Sequence, residues 1–230
     1  MATFNGVAYL RPQLESILSQ LGPENELVIS DDGSEDGTLD VLHGLRDSRV
    51  RLIQGPRRGP WANFAVSLAA ARHEAIFLSD QDDLWEPEKL ERQSRLLEEH
   101  LLVVSDCAVI DQDGKVVHDS YFALNRSAPG LMRNLVRNSF LGCCMAFRRE
   151  LLCKASPIPQ GIAHDWWLGM VALLSGKVLF LPHKLVRYRR HGTTASFAAS
   201  NSRRALSTRI GDRLRLVGAL GARTARHRFE

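Results

Sequence analysis

The stretch "SDQDDLW", Ser79 to Trp85, sets three carboxylates within four residues directly behind the apolar run "AIFL". Like charges this close repel, so the cluster raises some of its own pKa values unless a cation shares it. Aspartates suit a hard, oxygen-preferring ion such as Mg²⁺ or Mn²⁺, and Mg²⁺ is commonly held by one or two carboxylates plus substrate phosphates. The competing reading is a solvated acidic turn that caps the helix beginning near Pro87. The remainder of the chain decides between the two, and with them the fold.

Working outward from Ser79, short apolar strands alternate with amphipathic helices. Leu10, Leu14, Ile17, Leu18 and Leu21 recur at helical spacing over residues 8 to 21, with Pro12 tolerable in the first turn. "ELVIS" reads as a buried strand ending in "DDGS", followed by a helix carrying Leu39, Leu42 and Leu45 on one face. "VRLIQ" is the next strand, "WANFAVSLAAAR" the next helix, and "AIFLS" the strand that runs into the acidic stretch. "PEKLERQSRLLEEHL" opens with Pro in its first turn and lines up Leu90, Leu97 and Leu101. This alternation predicts an α/β fold with a Rossmann-like, mostly parallel sheet flanked by helices. Ligands of such sheets bind beyond the carboxyl ends of the strands, where "DDGS" and "SDQDD" both fall. After Leu102 the pattern loosens into a hairpin turning at Asp113 and Gly114, so the C-terminal half is less regular. The opening "MATFNGV" is too short for a buried first strand. Either that strand is cut short, or Met1 is an internal methionine of a longer protein.

The 230 residues are 44% hydrophobic, enough for a substantial core, and the net charge is +4. That charge is unevenly placed: residues 201 to 230 carry eight Arg against Asp212 and Glu230, leaving residues 1 to 200 mildly acidic. The expected division is a domain over 1–200 and a basic amphipathic helical tail over 201–230, with Leu206, Ile210, Leu214, Val217 and Leu220 as its apolar stripe. The tail packs on the body or lies on an anionic membrane face. The four cysteines match neither a zinc spacing nor a disulfide framework, no apolar run reaches about 18 residues, and no signal peptide is apparent. These readings point to a cytoplasmic location. Nucleic-acid binding would rest on the arginine tail alone and is not expected.

Four elements line up along the chain: "ATFNG", "SDDGSEDGT", "SDQDDLWEPEKL" and "HDWWL". Their order and spacing resemble the family 2 glycosyltransferases, inverting enzymes of the GT-A fold, and in particular bacterial members similar to rhamnosyltransferases of surface polysaccharide synthesis. The resemblance covers about residues 1 to 195. It implies a UDP- or dTDP-sugar donor, such as dTDP-L-rhamnose, and a glycan or lipid-linked acceptor. Thr3 and Phe4 would line the nucleotide pocket, Asp32 would bond the pyrimidine, and Asn63 would face the donor. Asp80 is expected near the ribose and Asp82 on a Mg²⁺ or Mn²⁺ ion. Asp83 is an alternative ligand, since the register within three aspartates is ambiguous. His191, in "VRYRRHG", would turn toward the metal or diphosphate, or simply end a basic strand, and Arg187, Arg189 or Arg190 would help with phosphate charge. Asp165 is the candidate general base, flanked by Trp166 and Trp167, whose bulk desolvates it and offers a sugar a stacking face. Asp165 also suits a helix cap. Gly142 would allow an acceptor to approach closely, while Cys143 and Cys144 read as core residues. Two other classes compete: an aspartyl-nucleophile phosphatase, whose motif belongs on the first strand, and a non-catalytic relative that only binds nucleotide.

Overall fold

The computed structural model describes residues 1–191 and 206–226. The expected boundary near residue 200 and both ends of the expected tail lie outside the described residues. The N-terminal half alternates as the sequence predicts: β1 (Ala2–Thr3), α1 (Val7–Leu18), β2 (Leu27–Asp31), α2 (Thr38–His43), β3 (Val50–Gln54), α3 (Pro60–Ala70) and β4 (Ala75–Phe77). Then follow β5 (Leu84–Trp85), α4 (Lys89–Leu96), β6 (Leu102–Ile110), β7 (Val116–His118), α5 (Tyr121–Asn125) and α6 (Leu131–Val136). A 3₁₀ turn at Gly142–Cys144 leads into β8 (Met145–Arg148), α7 (Arg149–Ala155), α8 (His164–Ser175), β9 (Val178–Arg189) and finally α9 (Leu206–Arg226).

Strands β1, β2 and β3 pair in parallel in that order, with Leu27 opposite Val50 and Thr3 opposite Asp31. A second sheet runs β4-β8-β6-β9-β5, with β7 added to β6. Only the β6–β9 pair within it is parallel; its other pairs are antiparallel. The parallel pattern thus belongs to the first half, and the looser second half folds as a mixed sheet. Parallel neighbours need a long crossover, and the segments between β6 and β8 instead return through a hairpin and short helices.

Leu10, Leu14 and Ile17 bury the inner face of α1 as expected, but Gln13 is buried among them. Its amide donates to Ser79 Oγ at 2.8 Å and the Asp80 carbonyl at 2.9 Å, so α1 grips the start of the acidic stretch. Where the short β1 leaves the start of β2 uncovered, between it and β4, lies a cavity of about 180 Å³, lined in part by Met1, Val28, Phe64, Ile76 and Trp85. Helix α9 docks on the body through Leu216, which is fully buried, with Ala219 and Leu220 beside it. Of the expected stripe, Ile210, Leu214 and Val217 remain exposed. None of the described helices is long and apolar enough to cross a membrane.

Candidate active site

At the end of β2 two neighbouring aspartates are consumed by the backbone. Asp31 Oδ1 accepts the N–H groups of Gly33 (3.0 Å) and Ser34 (2.8 Å), and its Oδ2 accepts the hydroxyls of Thr3 and Ser34, both at 2.7 Å. Asp32 accepts the N–H of Arg57 at 2.6 Å and of Gly59 at 2.8 Å, which pins the β3–α3 loop. Gly33 turns with φ near +92°, and a side chain there would meet Arg57 Nε at 2.8 Å. A cleft of about 470 Å³ opens beside these strand ends, lined by Gly33, Leu39, His43, Leu52, Gln54 and Arg57 among others.

The expected pocket residues therefore divide. Thr3 is 1% exposed, with its hydroxyl committed to Asp31, and Asn63 is 2% exposed, with its amide donating to the Thr3 carbonyl at 3.1 Å. Both side chains turn inward and hold β1 against β2 and α3, which corrects the expectation that they line the pocket. Phe4 stands open, and Gln81 binds its backbone on both sides, accepting from the N–H at 2.8 Å and donating to the carbonyl at 3.0 Å. That amide joins the β1–α1 loop to the acidic stretch; two chain segments 77 residues apart meet there, a contact no local pattern announces.

The three carboxylates of the acidic stretch separate in depth. Asp82 lies 2.8 Å from His191 Nε2, and both side chains keep limited solvent access. His191 also lies against the Tyr9 ring, with centroids 5.0 Å apart and the planes tilted by 31°. Asp83 is completely buried, and its Oδ1 accepts the Arg189 N–H at 2.8 Å. Burial and the charges of Asp82 and Asp80 push its carboxyl well up. Asp80 is partly exposed; burial first, then the charges of Asp82 and Asp165, raises it to about 7. Asp80, Asp83 and Cys143 bring ligand atoms within 4.8 Å of one another, yet burial pushes the Cys143 thiol up, so it stays protonated. A neutral thiol is a poor ligand for a hard cation. Of that group the carboxylates of Asp80 and Asp83 are the donors that suit a hard cation, with Asp83 as its buried anchor, while Asp82 stands paired with His191 at 2.8 Å.

Arg189 explains how that anchor is held. Its Nε donates to the Asp82 carbonyl and its Nη1 to the carbonyls of Asp111 and Gln112, with the guanidinium 4.7 Å from the Tyr9 ring centre. This spends the side chain on the protein and corrects the expectation that it helps with phosphate. Arg187 is likewise paired, with Glu86 at 2.7 Å.

Asp165 sits in the first turn of α8, accepting the Trp166 N–H at 2.7 Å. Burial raises its carboxyl to about 6, against the opposing pull of the Trp166 and Gly142 N–H groups. Gly142 packs directly below: a side chain there would come within 3.4 Å of His164 Nε2 and 3.7 Å of Asp165 Cβ. Gly142 is itself buried, so it clears room for Asp165 without offering a surface to an acceptor. His164 stacks on Phe64 at 4.0 Å, and burial lowers its pKa to about 4, so it is neutral at physiological pH. The two tryptophans point apart. Trp166 is partly exposed and donates to the Asn134 carbonyl at 2.9 Å, whereas Trp167 is 2% exposed and donates to Ala155. Trp167 is therefore a core residue and not a stacking surface. Its spacing with Met170 and Val171 at i, i+3 and i+4 carried that signal in the sequence.

Behind the Gly142 turn lies a group sequence reading passed over. Lys89 is fully buried; its Nζ donates to Gln93 Oε1 at 2.9 Å and to the Cys143 carbonyl at 3.0 Å, 4.9 Å from the Trp85 ring centre. Gln93 in turn donates to the Cys144 carbonyl at 3.0 Å. Burial lowers the lysine's pKa.

Comparison with known proteins agrees with this geometry. A sequence model of glycosyl transferase family 2 matches residues 1–154. An uncharacterised glycosyltransferase of Nostoc sp. is 26% identical over 215 residues, which is 88% of this chain and 67% of that protein. An uncharacterised protein of Mycobacterium tuberculosis is 30% identical over 237 residues, 93% of this chain and 72% of the relative. Among solved structures, Staphylococcus aureus TarS 1–349 in complex with UDP-GlcNAc superposes with a TM-score of 0.66 at 20% identity, covering 85% of this chain and 60% of TarS 1–349. The mannosyltransferase PcManGT of Pyrobaculum calidifontis, in complex with GDP-Man and Mn²⁺, gives 0.63 at 20% identity over 86% and 57% of the two chains. The chain thus spans roughly three fifths of the length of these two solved relatives, and its fold is of the GT-A type. On the match to its first two thirds, the chain belongs to glycosyl transferase family 2.

Proposed function

We propose that this protein transfers a sugar from a UDP- or dTDP-sugar to a hydroxyl of a glycan or lipid-linked acceptor, with inversion at the anomeric carbon. The observation that carries the reading is that Asp165 and Leu78, two residues before Asp80, both pack on Gly142, where an added side chain would come within 3.7 Å of Asp165 Cβ and 3.9 Å of Leu78 Cδ1. A carboxylate poised to accept a proton would then stand near a second set suited to a diphosphate's counterion. Asp165 takes the proton of the acceptor hydroxyl as that oxygen bonds to the anomeric carbon, and the bond to the diphosphate breaks with its electron pair leaving on the nucleotide. A carboxyl raised to about 6 is ionised at neutral pH yet basic enough for the task. A Mg²⁺ or Mn²⁺ ion held among Asp80, Asp82 and Asp83, with His191 beside Asp82, would offset the charge developing on the departing diphosphate. Trp166 bounds the acceptor side, and the cleft beside Gly33, with Asp32 behind it, takes the base. dTDP-L-rhamnose is the donor suggested by the sequence motifs.

A panel of nucleotide sugars tested for Mn²⁺-dependent thermal stabilisation checks this, because ligands that bind the native state raise its melting temperature. Stabilisation by UDP or dTDP compounds is expected. A panel without any shift, with or without metal, would overturn the proposal.

A further inference from the structure

Five of the large apolar side chains left exposed belong to two helices that touch. On α6, Met132 is 70% and Val136 65% exposed, one turn apart, while Leu131 and Leu135 of the same helix pack against the core. On α9, Ile210, Leu214 and Val217 are 50%, 68% and 48% exposed, on a face turned away from the buried Leu216. The Arg213 guanidinium donates to the Val136 carbonyl, so the two stripes adjoin. A contiguous apolar patch with a charged rim marks an interaction surface.

The rim has one sign. From Ser120 to Arg149 the sequence carries no Asp or Glu, while Arg126, Arg133 and Arg137 flank α6 and are exposed. Along α9, Arg209, Arg213 and Arg215 stand against Asp212 alone in the same segment. We infer that α6 and α9 together form a docking surface for an anionic lipid bilayer. The five apolar side chains enter the boundary between headgroups and acyl chains, and the exposed Arg126, Arg133, Arg137 and Arg215 face lipid phosphates. Single-signed charge around protruding aliphatic side chains is the complement of such a surface, and of a neutral bilayer it is not.

The position of the patch gives it a use. Helix α6 accepts the Trp166 indole N–H through Asn134, one residue beyond Asp165. Docking therefore sets the Asp165 side of the cleft toward the membrane. That consequence rests on the activity proposed above, where it favours a lipid-linked acceptor; the docking itself needs no turnover.

The test is sedimentation of the full chain with phosphatidylcholine vesicles and with mixed phosphatidylcholine and phosphatidylglycerol vesicles. Binding to the mixed vesicles alone, weakened by added salt, is expected. The M132E/L214E double variant should lose at least about tenfold in apparent affinity at an unchanged melting temperature, since both side chains are exposed. Equal binding to both vesicle types, binding to neither, or native-like binding by the double variant would overturn the inference. So would concentration-dependent self-association that the same substitutions abolish without any vesicle binding, which would assign the patch to a second copy of the chain. UDP titration of the same sample separates the two proposals: vesicle binding without UDP binding removes the activity and leaves the surface, and the converse removes the surface.

Discussion

The acids at the end of β2 and those around the Gly142 turn have opposite fates. Asp31 and Asp32 sit at a strand end in a glycine-containing turn, and between them accept four backbone N–H groups and two hydroxyls. Asp165 and Asp80 are instead lifted by burial, to about 6 and about 7, Asp165 in spite of the Trp166 and Gly142 N–H groups it accepts. A carboxylate whose lone pairs are spent on loop backbone shapes a pocket; one that is desolvated and left with open valences can move a proton or hold a cation. Position in a motif does not distinguish the two kinds, and only the partners do.

The largest effect should follow from removing the proton acceptor. Asp165→Asn should cut transfer by about 10² to 10⁴-fold while leaving UDP affinity nearly unchanged. In the unaltered protein the base must be ionised, so the rate should rise with pH through about 6 and level off above it. Near-normal turnover by the variant, or a rate that falls as pH climbs through that range, would place Asp165 with the structural acids.

Next comes the cation. Calorimetric titration of UDP should show at least about tenfold tighter binding with Mn²⁺ than without, and His191→Ala should weaken the Mn²⁺-supported binding by about 10 to 100-fold. Equal affinities with and without the ion would leave Asp82 and His191 as a structural pair.

Stability offers two smaller tests. An engineered segment of about five apolar residues, an average strand length, placed ahead of Met1 can run between β2 and β4. Each side chain that fills the cavity should add about 1.5 to 3 kcal/mol in denaturant unfolding. A segment of alternating Asp and Gly should add nothing, and equal stabilisation by both would remove the cavity as the cause. Asn63→Ala should cost only about 1 kcal/mol, because the buried Oδ1 is already without a partner and truncation removes that orphan along with the bond to Thr3. A loss several times larger would mean that this latch holds more of β1 than its single hydrogen bond accounts for.

Much of the first half was legible because its information is local. Leu10, Leu14 and Ile17 announce α1 by spacing, and "ELVIS" and "VRLIQ" announce adjacent buried strands. The second half depends on pairings such as Leu102 with Val178, 76 positions apart, which no window of sequence contains. The site divides in the same way. The acidic stretch and Asp165 were visible as motifs. Gln13, Gln81 and Lys89 were not, since each acts on a backbone group more than 50 residues away, and Arg189, expected at a phosphate, instead grips the backbone of Asp82. Thr3, Asn63 and Trp167 were placed at the site because their motifs stand there, and hydrogen bonds to Asp31, Thr3 and Ala155 turn them inward.

Lys89 carries a consequence for how the cleft responds as a unit. A buried ammonium loses several kcal/mol of hydration, and replacing such groups with apolar side chains is often neutral or stabilising. What the lysine contributes is connection. It opens α4 shortly after Trp85, at the exit of the acidic stretch, and with Gln93 grips the carbonyls of Cys143 and Cys144, immediately after the glycine on which Asp165 rests. The first turn of α4 thereby joins the exit of the acidic stretch to the turn on which Asp165 rests. A shift at the acidic stretch would then reach the seat of Asp165 through the contacts of Lys89 and Gln93.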